Sequence, residues 1–94
     1  MNSTEDLSKI ISLMLEFADN VSVTACGYVV QNGSRKRVME ILEKLSDLSA
    51  NAGKISSSLR YFVRRIESDL NKGPVVSFDL WHDVIGDILD MTDR

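Results

Sequence analysis

Large apolar residues recur with a heptad-like spacing through the middle of the chain, between Val38 and Leu70. Spacing of this kind predicts helices that pack along one another with a left-handed supercoil. The repeat keeps its phase across Gly53, so it fits either one long helix over residues 34–71 or two helices that break near residue 53. We call its large members the seam: Val38, Ile41, Leu45, Leu48, Ile55, Leu59, Phe62 and Ile66.

The seam decides how the chain is assembled. If the helix over residues 34–71 is unbroken, a single chain of 94 residues cannot cover its own apolar surface and needs a second copy. If the helix breaks near Gly53, one chain can form a three- or four-helix bundle. We expect an all-α fold of long helices in a coiled-coil-like hairpin or bundle. Self-association to a dimer or tetramer is expected to complete it, with the seam as the interface.

A first amphipathic helix is predicted to begin near residue 4. Apolar residues from Leu7 to Val21 occupy one wide arc when each residue is placed at about 100° from the last. Continuing this helix keeps further apolar residues in the arc, although Gly27 costs about 1 kcal/mol relative to alanine. We favour a helix over residues 4–31 that stops at Asn32-Gly33.

The segment over residues 21–30 also fits a β-strand. It is rich in valine, threonine and tyrosine, which favour extended backbone. A strand needs a partner for its N–H and C=O groups, and the only other β-like sequence, PVVSF at residues 74–78, is very short. This alternative predicts a short β segment that pairs with the same segment of another subunit.

Lys72, Gly73 and Pro74 end the middle region, and a last amphipathic helix is predicted over residues 77–91. A row of aspartates, spaced four, four and three residues apart, follows the face opposite Trp81. The row either keeps the helix solvated or binds a basic partner such as a DNA-binding protein, and Trp81 is either a core residue or an interface anchor. The candidate partner-binding residues are Asp79, Trp81, Asp83, Asp87 and Asp90.

Basic residues support an alternative function. Arg60 and Arg64 are four residues apart and share a helix face suited to phosphates or carboxylates. No helix-turn-helix pattern or aromatic interleaving accompanies them, so nucleic-acid binding by a dimeric transcriptional regulator is the second hypothesis. Its candidate contacts are Arg35, Lys36, Arg37, Arg60, Arg64 and Arg65.

Charge is unevenly distributed along the chain, whose net charge is −3. Residues 1–34 carry −3, residues 35–76 carry +4 and residues 77–94 carry −4. Acidic ends and a basic middle favour contact between ends and middle, within one chain or between chains.

Little in the sequence points to catalysis. The single histidine, His82, lies beside Asp83 and near Asp79, but no second group of ligands accompanies it, so we expect no metal site and no cofactor. The single cysteine, Cys26, has no base nearby in the sequence, and the glycines form no phosphate-binding loop. We therefore expect that the protein is not an enzyme.

Length and composition predict one small domain over residues 1–94 of a cytoplasmic protein. A single cysteine cannot form an internal disulfide, which indicates a reducing compartment. The N-terminal residues do not resemble a signal peptide, and no apolar run reaches the roughly 18 residues that a membrane span requires.

Together these features predict a small acidic helical protein that self-assembles and that binds another protein to regulate or block it. Phages and prophages encode many antagonists of this size and character, including antirepressors. No motif in the sequence identifies a family.

Overall fold

The computed structural model describes residues 3–92, and the ends of the predicted domain, residues 1–2 and 93–94, lie outside the described residues. The described chain is mostly helical and carries one two-stranded antiparallel sheet. Its Cα radius of gyration is 12.9 Å. The elements in chain order are α1 (Ser3–Asp19), β1 (Val21–Thr24), β2 (Gly27–Val30), α2 (Arg35–Ser49), a 3₁₀ turn (Gly53–Ile55), α3 (Ser56–Lys72) and α4 (Asp79–Thr92).

Helix α1 ends at Asp19, so the predicted helix over residues 4–31 is wrong beyond that point. The Asn20 side chain donates to the Glu16 carbonyl at 2.8 Å, and the Asn20 backbone N–H bonds to the Phe17 carbonyl at 3.0 Å. A continuing helix would use the Glu16 carbonyl for the Asn20 backbone N–H. The Asn20 side chain therefore occupies the Glu16 carbonyl, which a continuing helix would need as the acceptor for the Asn20 backbone N–H.

A β-hairpin follows directly after Asn20. Val21 faces Val30 and Thr24 faces Gly27, with Ala25 and Cys26 in the turn. The Thr24 hydroxyl donates to the Gly27 carbonyl at 3.0 Å and accepts from the Cys26 N–H at 3.1 Å. Gly27 has a φ of 113°, a conformation that L side chains rarely adopt. The predicted β segment at residues 21–30 is confirmed, but its two halves pair with each other.

Residues 74–76 pair with the outer edge of β2 through an isolated β-bridge. Val75 forms an antiparallel bridge with Val29. The Val30 N–H donates to the Pro74 carbonyl at 2.8 Å, and the Val76 N–H donates to the Tyr28 carbonyl at 2.9 Å. The outer edge of β2 is therefore covered by a segment of the same chain.

The middle region breaks into two helices, so the predicted single rod over residues 34–71 is wrong and the predicted break near residue 53 is confirmed. Gly53 has a φ of 59°, in the left-handed region where glycine is favoured. Helices α2 and α3 then pack against each other as an antiparallel hairpin. The long coiled coil is not confirmed, because these helices span only 15 and 17 residues.

The seam lies inside this hairpin. Seven of its residues are at most 1% exposed in the single chain, and Leu48 is partly buried against them. Both helices bury the side that faces the other, which explains why the heptad spacing keeps its phase through the turn. Side chains that are already buried cannot also form an interface between copies, so the prediction of an oligomer interface at the seam is corrected to intramolecular packing.

The core extends from the α2–α3 hairpin to α1 and α4. Ile10, Met14 and Phe17 of α1 are completely buried, and the Phe17 ring meets Phe62 of α3 edge to face at 5.2 Å between centroids. Burial of this apolar area is the main stabilising contribution to the fold. Within residues 3–92, no helix has the length and apolar character needed to cross a bilayer.

Candidate partner-binding surfaces

The start of helix α4 is fixed by a side chain of α3. The Asp69 carboxylate accepts a hydrogen bond from the Ser77 N–H at 2.8 Å and lies 3.3 Å from the Arg65 guanidinium. Lys72, Gly73 and Pro74 carry the chain out of α3, and α4 begins at Asp79. The direction of α4 is therefore tied to α3 at the point where the helix starts.

Helix α4 has one buried face and one acidic face. Val84 is completely buried and Ile88 is 2% exposed, and both belong to the core. Their burial leaves the opposite face in solvent. All four aspartates of the predicted row are exposed: Asp79, Asp83, Asp87 and Asp90. None of the four forms an ion pair with another residue of the described chain.

Trp81 attaches α4 to α1. Its indole Nε1–H donates to the Met14 carbonyl at 2.6 Å, and the residue is partly buried. The ring also stacks on Phe78, with 5.2 Å between centroids. Since the polar donor of the indole is used within the chain, Trp81 acts here as a core residue that holds α4 in place. The acidic row meets solvent on the other side of the helix.

A row of aromatic rings joins the hairpin to the start of α4. Tyr28 of β2 stacks on Phe78 at 4.6 Å, and His82 meets Phe78 edge-on at 5.5 Å. The helix predicted over residues 4–31 includes Tyr28 and so does not predict its contact with Phe78. The aromatic residue in the short PVVSF sequence was the available signal that the two segments meet.

The basic segment at residues 35–37 is partly used within the chain. Arg35 donates from Nη1 to the Leu70 carbonyl at 2.8 Å, close to the C-terminal end of α3. Arg37 binds Glu16 of α1 through both Nε and Nη2 and lies 3.3 Å from Glu40. The hydrogen bond from Arg37 lowers the pKa of the Glu16 carboxyl, and Glu16 in turn raises the pKa of Arg37. Two of the three basic side chains thus stabilise the fold.

Helix α3 presents a separate basic face. Arg60, Arg64 and Arg65 are exposed, and Tyr61 between them is 56% exposed. Arg65 is paired with Asp69, whose hydrogen bond is the main cause that raises the arginine pKa, and Arg60 lies 3.4 Å from the Ser49 hydroxyl. Arg60 and Arg64 form no ion pair with any residue of the described chain.

The structure does not bring the two basic groups into one surface. Arg60 lies beside Ser49, at the turn end of the α2–α3 hairpin, whereas Arg35 lies beside Leu70, at its open end. The ten residues between positions 60 and 70 correspond to about 15 Å along the helix axis. Of the predicted nucleic-acid contacts, only Arg60, Arg64 and Arg65 share a helix face.

The single cysteine and the single histidine both lie at the surface. Cys26 is exposed in the hairpin turn, and His82 is exposed beside Trp81. No group of three or more histidine, cysteine, aspartate or glutamate residues in the described part of the chain is arranged to hold a metal ion.

No known protein family, curated protein or solved structure matches this chain. A functional assignment therefore depends on the surfaces described above.

Proposed function

We propose that this protein is a small helical binding protein that docks the acidic face of α4 on a basic surface of another protein and thereby regulates or blocks it. The observation that supports this proposal is the exposed row Asp79, Asp83, Asp87 and Asp90, which has no ion-pair partner among the described residues. The binding requires no cofactor and no catalysis.

The physical argument rests on rigidity and charge. Trp81, Val84 and Ile88 fix the buried side of α4, so the aspartates are displayed on a helix that does not have to order on binding. The row extends over about 17 Å of helix axis. Like charges at this spacing repel one another, and a basic partner relieves that repulsion. Complementary charge of this kind also accelerates association and gives specificity.

The partner that fits best is a DNA-binding protein, because its nucleic-acid surface is basic and the acidic row competes for the same cations. An antagonist of this type, such as an antirepressor, acts in the cytoplasm. The single cysteine, Cys26, is consistent with that reducing compartment.

The test compares two triple variants that have the same net charge. Asp83→Asn, Asp87→Asn and Asp90→Asn together neutralise most of the row. Asp19→Asn, Glu43→Gln and Asp47→Asn neutralise three exposed acids elsewhere, none of which is in an ion pair within residues 3–92. Both triple variants and the wild-type protein are used as baits in quantitative affinity purification from the native host.

We expect to find proteins that bind both the wild type and the control variant but do not bind the α4 variant. A basic DNA-binding protein should be among them. Its purified form should bind with an affinity that falls as salt increases. Identical sets of bound proteins for all three baits would contradict the proposal.

The exposed basic face of α3 favours one alternative, a regulator that binds nucleic acid directly. The expectation that no aromatic residue accompanies these cations is corrected here, because the exposed Tyr61 lies between Arg60 and Arg64 in the sequence and offers a ring for base stacking. Fluorescence anisotropy with mixed-sequence single- and double-stranded DNA separates the two functions. Direct binding predicts a steep loss of affinity with salt and with Arg64→Ala, and no loss with Asp87→Asn. The main proposal predicts weak binding that is the same for the wild type and Arg64→Ala.

A further inference from the structure

Strand β1 is the open edge of the small sheet. The other edge, on β2, is covered by residues 74–76 through hydrogen bonds from Val30 to Pro74 and from Val76 to Tyr28. The sheet order places β1 next to β2 only. The two sides of the hairpin therefore differ, because a segment of the same chain closes one side and no segment of residues 3–92 closes the other.

The hydrogen bonds on the closed side show which backbone groups of β1 point outward. Tyr28 and Val30 direct their backbone groups toward residues 74–76, so they do not bond to their β1 neighbours. Those neighbours are Val23 and Val21, and in an antiparallel pair such residues direct N–H and C=O away from the partner strand. Within the described chain, no hydrogen bond reaches the outward groups of Val21 or Val23.

The open edge has none of the chemical features that usually prevent pairing between strands. The four residues of β1, Val21–Thr24, include no charged residue and no proline. Val23 is 75% exposed, more than any other large apolar side chain in the described part of the chain. An uncharged edge that carries an exposed valine favours addition of another strand.

We propose that β1 pairs with β1 of a second copy, antiparallel and around a two-fold axis at Ser22. In this register Val21 of one copy lies opposite Val23 of the other, and each pair exchanges both of its outward hydrogen bonds. The two valines point to the same face of the joined sheet, so the exposed Val23 covers Val21 of the second copy. Each hairpin then continues the sheet of the other.

A second copy of this chain fits the open edge because it presents an identical, uncharged edge. An antiparallel two-fold arrangement matches the N–H and C=O groups of two identical edges, and neither edge carries a charge that would repel the other. The short length of β1 predicts an interface below the size of a stable dimer, and hence a dimer that depends on concentration. This self-pairing surface is separate from the acidic face of α4 and does not depend on its proposed function.

Sedimentation equilibrium over a concentration series tests the pairing, with Val23→Lys and Val75→Lys as matched variants. Both place a lysine at an exposed valine next to the sheet, and only Val23 belongs to the open edge. The proposal expects the wild type and Val75→Lys to shift from monomer to dimer mass as concentration rises, and Val23→Lys to remain monomeric with an unchanged circular dichroism spectrum. A monomeric wild type at every concentration would overturn it, as would equal association of both variants.

A disulfide tests the register independently. Ser22 lies on the proposed axis in a non-hydrogen-bonded pair, where Cα atoms are about 4.5 Å apart, within the range of a disulfide. Ser22→Cys combined with Cys26→Ser should form a covalent dimer rapidly under mild oxidation. Wild-type Cys26 is also exposed but lies about 25 Å from its copy in this register, so it serves as the control. Equal rates of cross-linking would overturn the register.

Discussion

Replacing Gly27 and replacing Gly86 with alanine are expected to change the free energy of unfolding in opposite directions, although both glycines have free space around them. A Cβ at Gly27 or Gly86 would meet no atom within 4 Å, so steric clashes do not distinguish them. Gly27 has a φ of 113°, and Gly86 lies within helix α4. Gly27→Ala should lower the free energy of unfolding by about 1–3 kcal/mol through backbone strain. Gly86→Ala should raise it by about 0.4–1 kcal/mol.

Urea unfolding followed by circular dichroism measures both changes on the same scale. The pair is its own control, since each variant adds the same methyl group at an open position. Equal effects of the two substitutions would show that the hairpin turn does not require the positive φ at residue 27.

Residue types predicted local structure well where one residue controls the backbone. Gly53 marked the break in the middle region, and Gly73-Pro74 marked the end of α3. The sequence does not reveal Asn20 as the end of α1, because its effect depends on the side chain reaching the Glu16 carbonyl, which composition does not show. The sequence alone allows Trp81 to be a core residue or an interface anchor, and the hydrogen bond to the Met14 carbonyl shows that its indole N–H is used within the chain.

At the scale of elements, the ion pair between α1 and α2 should make stability depend on pH. Arg37 holds the pKa of Glu16 below its ordinary value of 4.5. A lowered pKa in the folded state means that the stabilisation is complete above the ordinary pKa and is lost as pH falls through the lower, folded value. Glu16→Gln should therefore be less stable than the wild type at pH 7, and the difference should shrink as pH falls below 4.5.

Urea midpoints measured from pH 7 to pH 3 for both proteins check this expectation. Glu43→Gln, which neutralises an exposed glutamate of α2, controls for the change in net charge. A difference between Glu16→Gln and the wild type that stays constant at all pH values would show that the carboxylate charge contributes nothing to the attachment of α1 to α2.

The helices could be predicted from the sequence because their periodicity is local, whereas their partners could not. The seam gave the correct buried residues of α2 and α3 but the wrong partner, since the same spacing fits one hairpin or two copies of a rod. The β segment at residues 21–30 is only the second interpretation of the sequence, because the sequence shows no partner for it, whereas in the structure Val21–Thr24 and Gly27–Val30 pair with each other. Two-residue turns that lack an Asn-Gly or Asp-Gly signal, such as Ala25-Cys26, are easily missed.

At the scale of the whole molecule, buried side chains from every helix form one core. It includes Phe17 of α1, Leu42 of α2, Phe62 of α3 and Val84 of α4, and Val30 of the hairpin joins it. The acidic and basic faces lie on the outside of this core, where packing does not determine the residue types. The sequence could therefore indicate the charged faces but not which basic residues are used within the fold, as Arg35 and Arg37 are.

A continuous core predicts that the chain unfolds as a single cooperative unit. Trp81 is the only tryptophan, so its fluorescence reports on the contact of α4 with α1, whereas circular dichroism reports on all helices. Because both depend on the same core, their urea transitions should have the same midpoint and slope. A fluorescence transition at lower urea would mean that α4 detaches first. In that case α4 would leave the core at a lower free-energy cost than global unfolding, and the proposal that the core holds the acidic face rigidly would be wrong.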